Sequence, residues 1–137
     1  MAKILALDLG DAWTGVAISD TTGLVARPYT TIAAGKLYPF LHTTLAQEAI
    51  TTVVVGYPTT LRGTVSKQTE KVLAIKEQLT REFPAITWIL WDERLSSKRA
   101  EDRPMRTKED KLKAQARAAA FILDSYLQYR LQQRDSL

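Results

Sequence analysis

Apolar positions along the chain follow two patterns, one of short runs and one of longer periodic segments. Five short runs have the length and composition of buried or half-buried β-strands. They span residues 4–10, 13–20, 23–32, 51–56 and 85–91. Three longer segments repeat their apolar residues every three or four positions, which predicts amphipathic helices. These segments are residues 36–49, 64–83 and 108–131.

The order of these elements predicts the fold class. A short turn at residues 10–12 joins the first two strands in a predicted hairpin, and Pro28 places the third strand near an edge or a bend. Three antiparallel strands are followed by alternating helices and strands. This order predicts an α/β fold, with a mixed sheet of three antiparallel and then two parallel strands and with helices on both faces. A chain of 137 residues, 45% of them hydrophobic, predicts one domain over 1–137.

Composition removes several classes of protein. The chain has no cysteine, which excludes disulfides and thiolate chemistry. No apolar run reaches 18 residues, so the sequence predicts no membrane partner. Residues 1–20 lack the basic start and cleavage site of a signal peptide. We therefore expect a cytoplasmic protein.

The charge of the chain is concentrated in its last third. The net charge is +4, but residues 1–93 hold eight basic and nine acidic side chains, whereas residues 94–137 hold eleven basic and six acidic ones. This asymmetry predicts an anionic partner, for which nucleic acid is the usual candidate. A solvated basic surface without a partner is the alternative.

Three carboxylates stand near the ends of predicted strands. Asp8 interrupts the first apolar run, and Asp92 and Glu93 directly follow the last one. An unpaired buried carboxylate is costly, and coordination of Mg²⁺ or Mn²⁺ would remove that cost. Asp8 and Glu93 can share a cation only if the first and last strands bring their carboxyl ends together. Alternatively, Asp8 pairs with an arginine or caps a turn, and the Asp92–Glu93 pair is an ordinary polar exit from a strand.

A possible phosphate site precedes the second predicted helix. Gly63 allows close approach of the backbone, and Thr64 stands where the helical pattern begins. The exposed N–H groups of the first turn could hold a phosphate. Thr64 could equally be a simple N-cap, and both interpretations can hold together.

Four blocks of the sequence resemble the YqgF (RuvX-like) family of the RNase H-like superfamily. They read "ILALDLGDAWTGVAISD", "VVVGYPTTLRGT", "WDERLSS" and "AAAFILDSYL", in the family's order and over almost the whole chain. The resemblance implies an RNase H-like fold and a metal-dependent nuclease that matures the 5′ end of pre-16S rRNA. Some members are described as Holliday junction resolvases, which would act on four-way DNA junctions as dimers; the resemblance leaves a monomer or a homodimer open.

The resemblance also implies roles for particular residues. Asp8 and Glu93 would be ligands of Mg²⁺ or Mn²⁺, with Asp92 beside them, and Gly63 and Thr64 would lie at the phosphate. Basic residues of the connector and last helix would bind phosphates of the nucleic acid. These are Arg94, Lys98, Arg99, Arg103, Arg106 and Lys108.

The chain departs from the family at one position of the site. The family usually carries a third acidic residue on the last helix, and the matching position here is Gln115. Gln115 lies on the inward side of the predicted helix, three residues after Leu112 and four before Ala119. Its amide offers a neutral oxygen, so affinity for metal should fall. A nucleic-acid-binding module with weakened catalysis is therefore an alternative to an active nuclease.

Overall fold

The computed structural model describes residues 2–58, 66–93 and 107–135, and it confirms the predicted order of elements. The strands are β1 (Lys3–Leu9), β2 (Trp13–Ser19), β3 (Ala26–Ala33), β4 (Ile50–Tyr57) and β5 (Thr87–Asp92). The helices are α1 (Leu37–Gln47), preceded by a 3₁₀ turn at Ala34–Lys36, α2 (Lys67–Glu82) and α3 (Lys108–Asp135). None of the helices in these described ranges has the length and hydropathy needed to cross a membrane.

The five strands form one mixed sheet in the order β3-β2-β1-β4-β5. The first three strands pair antiparallel, β4 is parallel to β1, and β5 is parallel to β4. Pro28 lies on the edge strand β3, as predicted, and the β2–β3 register shifts where Val16 pairs with Thr30 and Ala17 with Pro28. A proline has no N–H for the ladder, which explains the irregularity at this position.

Helices cover both faces of the sheet, as the sequence predicted. Leu5 and Leu7 of β1 pack in the core beneath α1 and α2, while Ile4 and Ala6 pack against α3. Side chains alternate along a strand, so Asp8 belongs to the α3 face with Ile4 and Ala6. The carboxyl end of the central strand β1 therefore presents an acid toward the face that α3 covers.

The start of α2 corrects the sequence prediction. The helix begins at Lys67 and its N-cap is Ser66, so the assignment of Thr64 as the N-cap was wrong. The Ser66 hydroxyl accepts from the Thr69 N–H at 3.2 Å, and the Thr69 hydroxyl accepts from the Ser66 N–H at 3.2 Å. This reciprocal pair is a capping box in which threonine replaces the usual glutamate. The Thr69 hydroxyl also donates to the carbonyl of Pro58, which ties α2 to the end of β4.

Candidate active site

Asp8 lies between two glycines on the α3 face of the sheet. It pairs with Gly15 across the β1–β2 ladder, and its neighbour on the other side is Gly56, one position beyond the Leu7–Val55 pair. Neither glycine projects a side chain beside the carboxylate. Atoms of neighbouring elements occupy the positions that side chains of Gly15 and Gly56 would take on the two flanks of Asp8.

Glu93 reaches over one of these glycines from the edge of the sheet. A β-carbon on Gly56 would lie 2.8 Å from Oε1 of Glu93 and 2.6 Å from Cδ1 of Ile122 in α3. The carboxyl group of Glu93 thus extends from the end of β5 across β4, in the direction of β1. Asp8 and Glu93 lie on the same face of the sheet, the one that α3 covers. One strand, β4, separates β1, which carries Asp8, from β5, which Glu93 follows. This arrangement agrees with a shared site for Asp8 and Glu93, which stays a prediction.

Asp92 belongs to the opposite face of the sheet. Trp88 packs in the core beneath α1 and α2, whereas Ile89 and Trp91 pack on the α3 side. Alternation along β5 gives Asp92 the same face as Trp88. The structure thus brings Glu93 toward Asp8 and does not bring Asp92 with it, and a catalytic role for Asp92 remains a prediction.

Gln115 marks where α3 crosses the site. A β-carbon on Gly15 would overlap the backbone carbonyl of Gln115 and come within 3.1 Å of the Ala116 nitrogen. The helix backbone therefore rests directly on Gly15, the partner of Asp8. The hydroxyl of Thr31 donates to the carbonyl of Leu112 and fixes the preceding turn of α3 over β3. Ala116 and Ala119 are buried beneath the helix, so Gln115 is on its inward side as predicted.

One predicted phosphate-binding residue can be placed in the structure. The Lys108 ammonium lies 5.5 Å from the centroid of the Trp13 ring, in a cation–π contact at the start of α3. Trp13 begins β2 and so lies at the same end of the sheet as Asp8. The remaining candidates fall outside the described residues. They are Gly63, Thr64, Arg94, Lys98, Arg99, Arg103 and Arg106.

The turn beside the site is held by α2 through contacts that the sequence did not predict. The Gln68 amide donates to the carbonyl of Leu9 at 3.0 Å. Lys71 forms an exposed ion pair with Asp11 at 3.1 Å. The roles of Gly15 and Gly56 were not predicted from the sequence, although glycine inside an apolar strand is a recognised sign of close approach.

The donors at this end of the sheet fit a hard divalent cation. The described residues contain no group of three or more histidine, cysteine, aspartate or glutamate side chains arranged to bind a metal. Mg²⁺, however, is commonly held by one or two carboxylates together with water and substrate phosphates. Asp8 and Glu93 can supply those carboxylates, and the missing side chain of Gly56 allows the Glu93 carboxyl to lie where a β-carbon would be only 2.8 Å from its Oε1 atom.

The strand order and the helices on both faces define the class of the protein by its fold, which is RNase H-like. A solved structure described as "T. thermophilus RuvC in complex with Holliday junction substrate" matches with a TM-score of 0.60, 14% identity and 96% coverage of both chains. A second structure, described as that of Thermus thermophilus RuvC, has a TM-score of 0.58 at 15% identity and covers 95% of this chain and 96% of that one. At this identity the likeness concerns the fold.

Sequence comparison identifies the family within this class. The model of the family described as "RuvX: Holliday junction resolvase" matches residues 2–129. A Rubrobacter xylanophilus protein named "Putative pre-16S rRNA nuclease" is 37% identical over 128 residues, covering 92% of each chain. A protein of the same name from Thermoanaerobacter pseudethanolicus is 35% identical over 134 residues, covering 91% of this chain and 95% of its own. The chain belongs to the RuvX family of nucleases, and the resemblance found in the sequence is confirmed.

Proposed function

We propose that this protein is a metal-dependent nuclease that cleaves phosphodiester bonds in structured nucleic acid, and that its substrate is the 5′ end of pre-16S rRNA. The observation that carries the proposal is the placement of the Glu93 carboxyl over Gly56, beside Asp8. The choice of pre-16S rRNA as the substrate agrees with the names of the two relatives described above. We also propose that the protein acts on ribosomal RNA in the cytoplasm, as a single domain over residues 1–137.

The two carboxylates have different supports in this proposal. The backbone of Asp8 is held in place because β1 pairs with a strand on each side, β2 and β4. The position from which the carboxylate projects is therefore fixed. Glu93 follows the last residue of β5, and contact with Gly56 and Ile122 sets its direction. Both would hold Mg²⁺ or Mn²⁺, which when bound stabilises the attacking and leaving oxygens of an in-line displacement. In the hydrolysis, the oxygen of water bonds to phosphorus while the bond to the leaving sugar oxygen breaks, and that oxygen takes up a proton.

Gln115 lowers the negative charge that the site can offer to a metal ion. A glutamine adds an amide oxygen where the family usually has a carboxylate, so the site has one negative charge fewer. The expected consequence is weaker binding of metal, with full activity only at high Mg²⁺ or Mn²⁺. This residue is also the observation that favours a second candidate, a nucleic-acid-binding protein with reduced catalysis.

A four-way DNA junction is the alternative substrate, and the description of the RuvX family as Holliday junction resolvases favours it. Symmetrical cutting of a junction requires two sites, and therefore a homodimer. An RNA terminus can be processed by a monomer. Substrate preference and oligomeric state thus test the same alternative by separate measurements.

The decisive experiment measures cleavage of a pre-16S rRNA 5′ fragment and of a synthetic four-way junction during titration with Mg²⁺ and Mn²⁺. We expect cleavage of the RNA by the wild-type protein and loss of more than about a hundredfold in Asp8→Asn. Asp124→Asn is the matched control, because Asp124 is an exposed carboxylate of α3 that bonds with Gln128 at 2.8 Å. Absence of cleavage of both substrates at every metal concentration would reject the nuclease.

A second variant tests the role given to Gln115. Gln115→Asp restores the charge found in the family, so the metal concentration at half-maximal cleavage should fall. An unchanged metal dependence would contradict the proposal that Gln115 weakens metal binding.

Binding of the RNA should also weaken steeply with salt if basic side chains such as Lys108 contact phosphates, and a flat salt dependence would contradict that contact.

A further inference from the structure

Three aromatic side chains form a cluster where α3 passes the edge strand β5. The ring of Trp91 lies 5.4 Å from that of Tyr126 in an edge-on arrangement and 5.3 Å from that of Tyr129 at a tilt of 56°. We call these three residues the aromatic cluster. Tyr126 is buried, but Tyr129 is 47% exposed, and Trp91 is partly exposed. The cluster therefore offers ring surface to solvent.

The aromatic cluster continues the wall of the candidate active site. Trp91 lies in β5 and Glu93 directly follows that strand, and both side chains lie on the α3 face. On α3, Ile122 touches the position above Gly56, and Tyr126 and Tyr129 follow it at helical spacings of four and seven residues. A strand of nucleic acid that places a phosphate at Glu93 can thus place an adjacent base at Trp91.

The cluster is held in position before any ligand arrives. The indole N–H of Trp91 donates to the Ser125 hydroxyl at 3.1 Å, which fixes the ring against α3. The guanidinium of Arg130 lies 5.9 Å from the Tyr126 ring, and its Nη1 atom lies 3.8 Å from the β-carbon position of Gly23 in the turn after β2. Fixed, exposed aromatic rings are a surface on which proteins stack the bases of single-stranded nucleic acid without selecting its sequence.

We propose that the aromatic cluster is a base-stacking subsite for an unpaired nucleotide next to the bond that is cut. This inference rests on the proposed nuclease function and sharpens its substrate class, since only an unpaired base can offer its face to Tyr129 and Trp91. The preferred substrate is therefore structured nucleic acid with a single-stranded segment beside the cleavage position. A continuous duplex lacks the base that the subsite takes.

Binding experiments in the Asp8→Asn background test the subsite without cleavage. The probes are a fluorescently labelled single-stranded RNA and the same sequence in a continuous duplex. Tyr129→Leu should weaken binding of the single strand about tenfold and leave the duplex unchanged, because loss of one stacked base costs about that much. Tyr129→Phe should keep wild-type binding, since the ring remains. Tyr29→Leu is the matched control, because Tyr29 is 38% exposed on the opposite edge strand β3.

Intrinsic fluorescence supplies a second measurement. Single-stranded RNA should quench the emission of Trp91, and this part of the quenching should vanish in Trp91→Phe, which keeps Trp13 and Trp88. Equal loss of single-strand and duplex binding in Tyr129→Leu, or no loss, would overturn the subsite, as would quenching in Trp91→Phe that equals the quenching of the wild-type protein. These results are independent of cleavage: a Tyr129 effect in a protein that cuts no substrate would uphold the subsite and reject the nuclease.

Discussion

The backbone carbonyl of Gln115 lies above Gly15 in the space that a β-carbon would occupy. Gly15 is the cross-strand partner of Asp8, so this contact sets the distance between α3 and the acidic end of β1. The neighbouring residue Ala116 is buried at the same crossing. The absence of a side chain on β2 thus determines how near the helix comes to the candidate active site.

Gly15→Ala should destabilise the protein. The new methyl group would meet backbone atoms of Gln115 and Ala116, which cannot rotate away as a side chain can. We expect the free energy of unfolding, measured by urea titration, to fall by about 1–3 kcal/mol, the usual cost of overpacking a core. Gly35→Ala is the control, because a β-carbon on Gly35 has no atom within 4 Å. Equal stability of the two variants would contradict the close contact.

Gly56→Ala should reduce activity more than stability. Its β-carbon would meet the ends of two side chains, Glu93 Oε1 at 2.8 Å and Ile122 Cδ1 at 2.6 Å, and both can move aside. Displacement of the Glu93 carboxyl should raise the metal concentration needed for half-maximal cleavage. The measurements are a metal titration of cleavage and a urea titration of the same variant.

The double variant Gly56→Ala with Ile122→Val separates the two contacts at Gly56. Valine lacks the Cδ1 atom of isoleucine, so the packing conflict is relieved while the conflict with Glu93 remains. Stability should recover toward that of Ile122→Val alone, and cleavage should stay low. Recovery of cleavage together with stability would show that Glu93 was not displaced.

Glu93→Gln and Asp92→Asn should have unequal effects. Each removes one negative charge at the end of β5, but alternation directs Glu93 to the α3 face with Asp8 and Asp92 to the other face. We expect Glu93→Gln to lower cleavage by more than about tenfold and Asp92→Asn to change it much less. Single-turnover cleavage at saturating Mg²⁺ would make the comparison. Similar losses would assign Asp92 to the site as well.

The turn after β2 should make the free energy of unfolding fall at acidic pH. Thr22 donates its hydroxyl to the carboxylate of Asp20, and the backbone N–H of Leu24 donates to it at 3.0 Å. These hydrogen bonds, first that of Thr22, hold the pKa of Asp20 below its ordinary value of 3.8. The carboxylate thus stabilises the folded state above the unfolded pKa, and this stabilisation is lost as pH falls through the lower folded pKa.

The variant Asp20→Asn tests this dependence because an amide does not titrate. Unfolding by urea should show a flatter decline of stability below about pH 4 in the variant than in the wild type. Identical slopes in the two proteins would mean that the turn does not hold the carboxylate when folded.

The local pattern of apolar residues was sufficient to predict most of the strands and helices. Short apolar runs identified the strands, and repeats of apolar residues every three or four positions identified the helices, because each element must bury one or both faces. Pro28 indicated the edge strand because it cannot donate to a ladder. The start of α2 was misplaced at Thr64 because several hydroxyl side chains precede the helix. The choice of Ser66 depends on Thr69, which also bonds to Pro58 at the end of β4.

The sequence by itself determined which residues are acidic at strand ends and that Gln115 stands where the family carries a carboxylate. Only the tertiary structure decided which of these groups share a face. The order β3-β2-β1-β4-β5 inserts β4 between the strands of Asp8 and Glu93, and long-range pairing of strands is not written in any local repeat. That order gives Gly56 its place beneath Glu93, and the crossing of α3 gives Gly15 its place beneath Gln115, because close approach requires a position without a side chain.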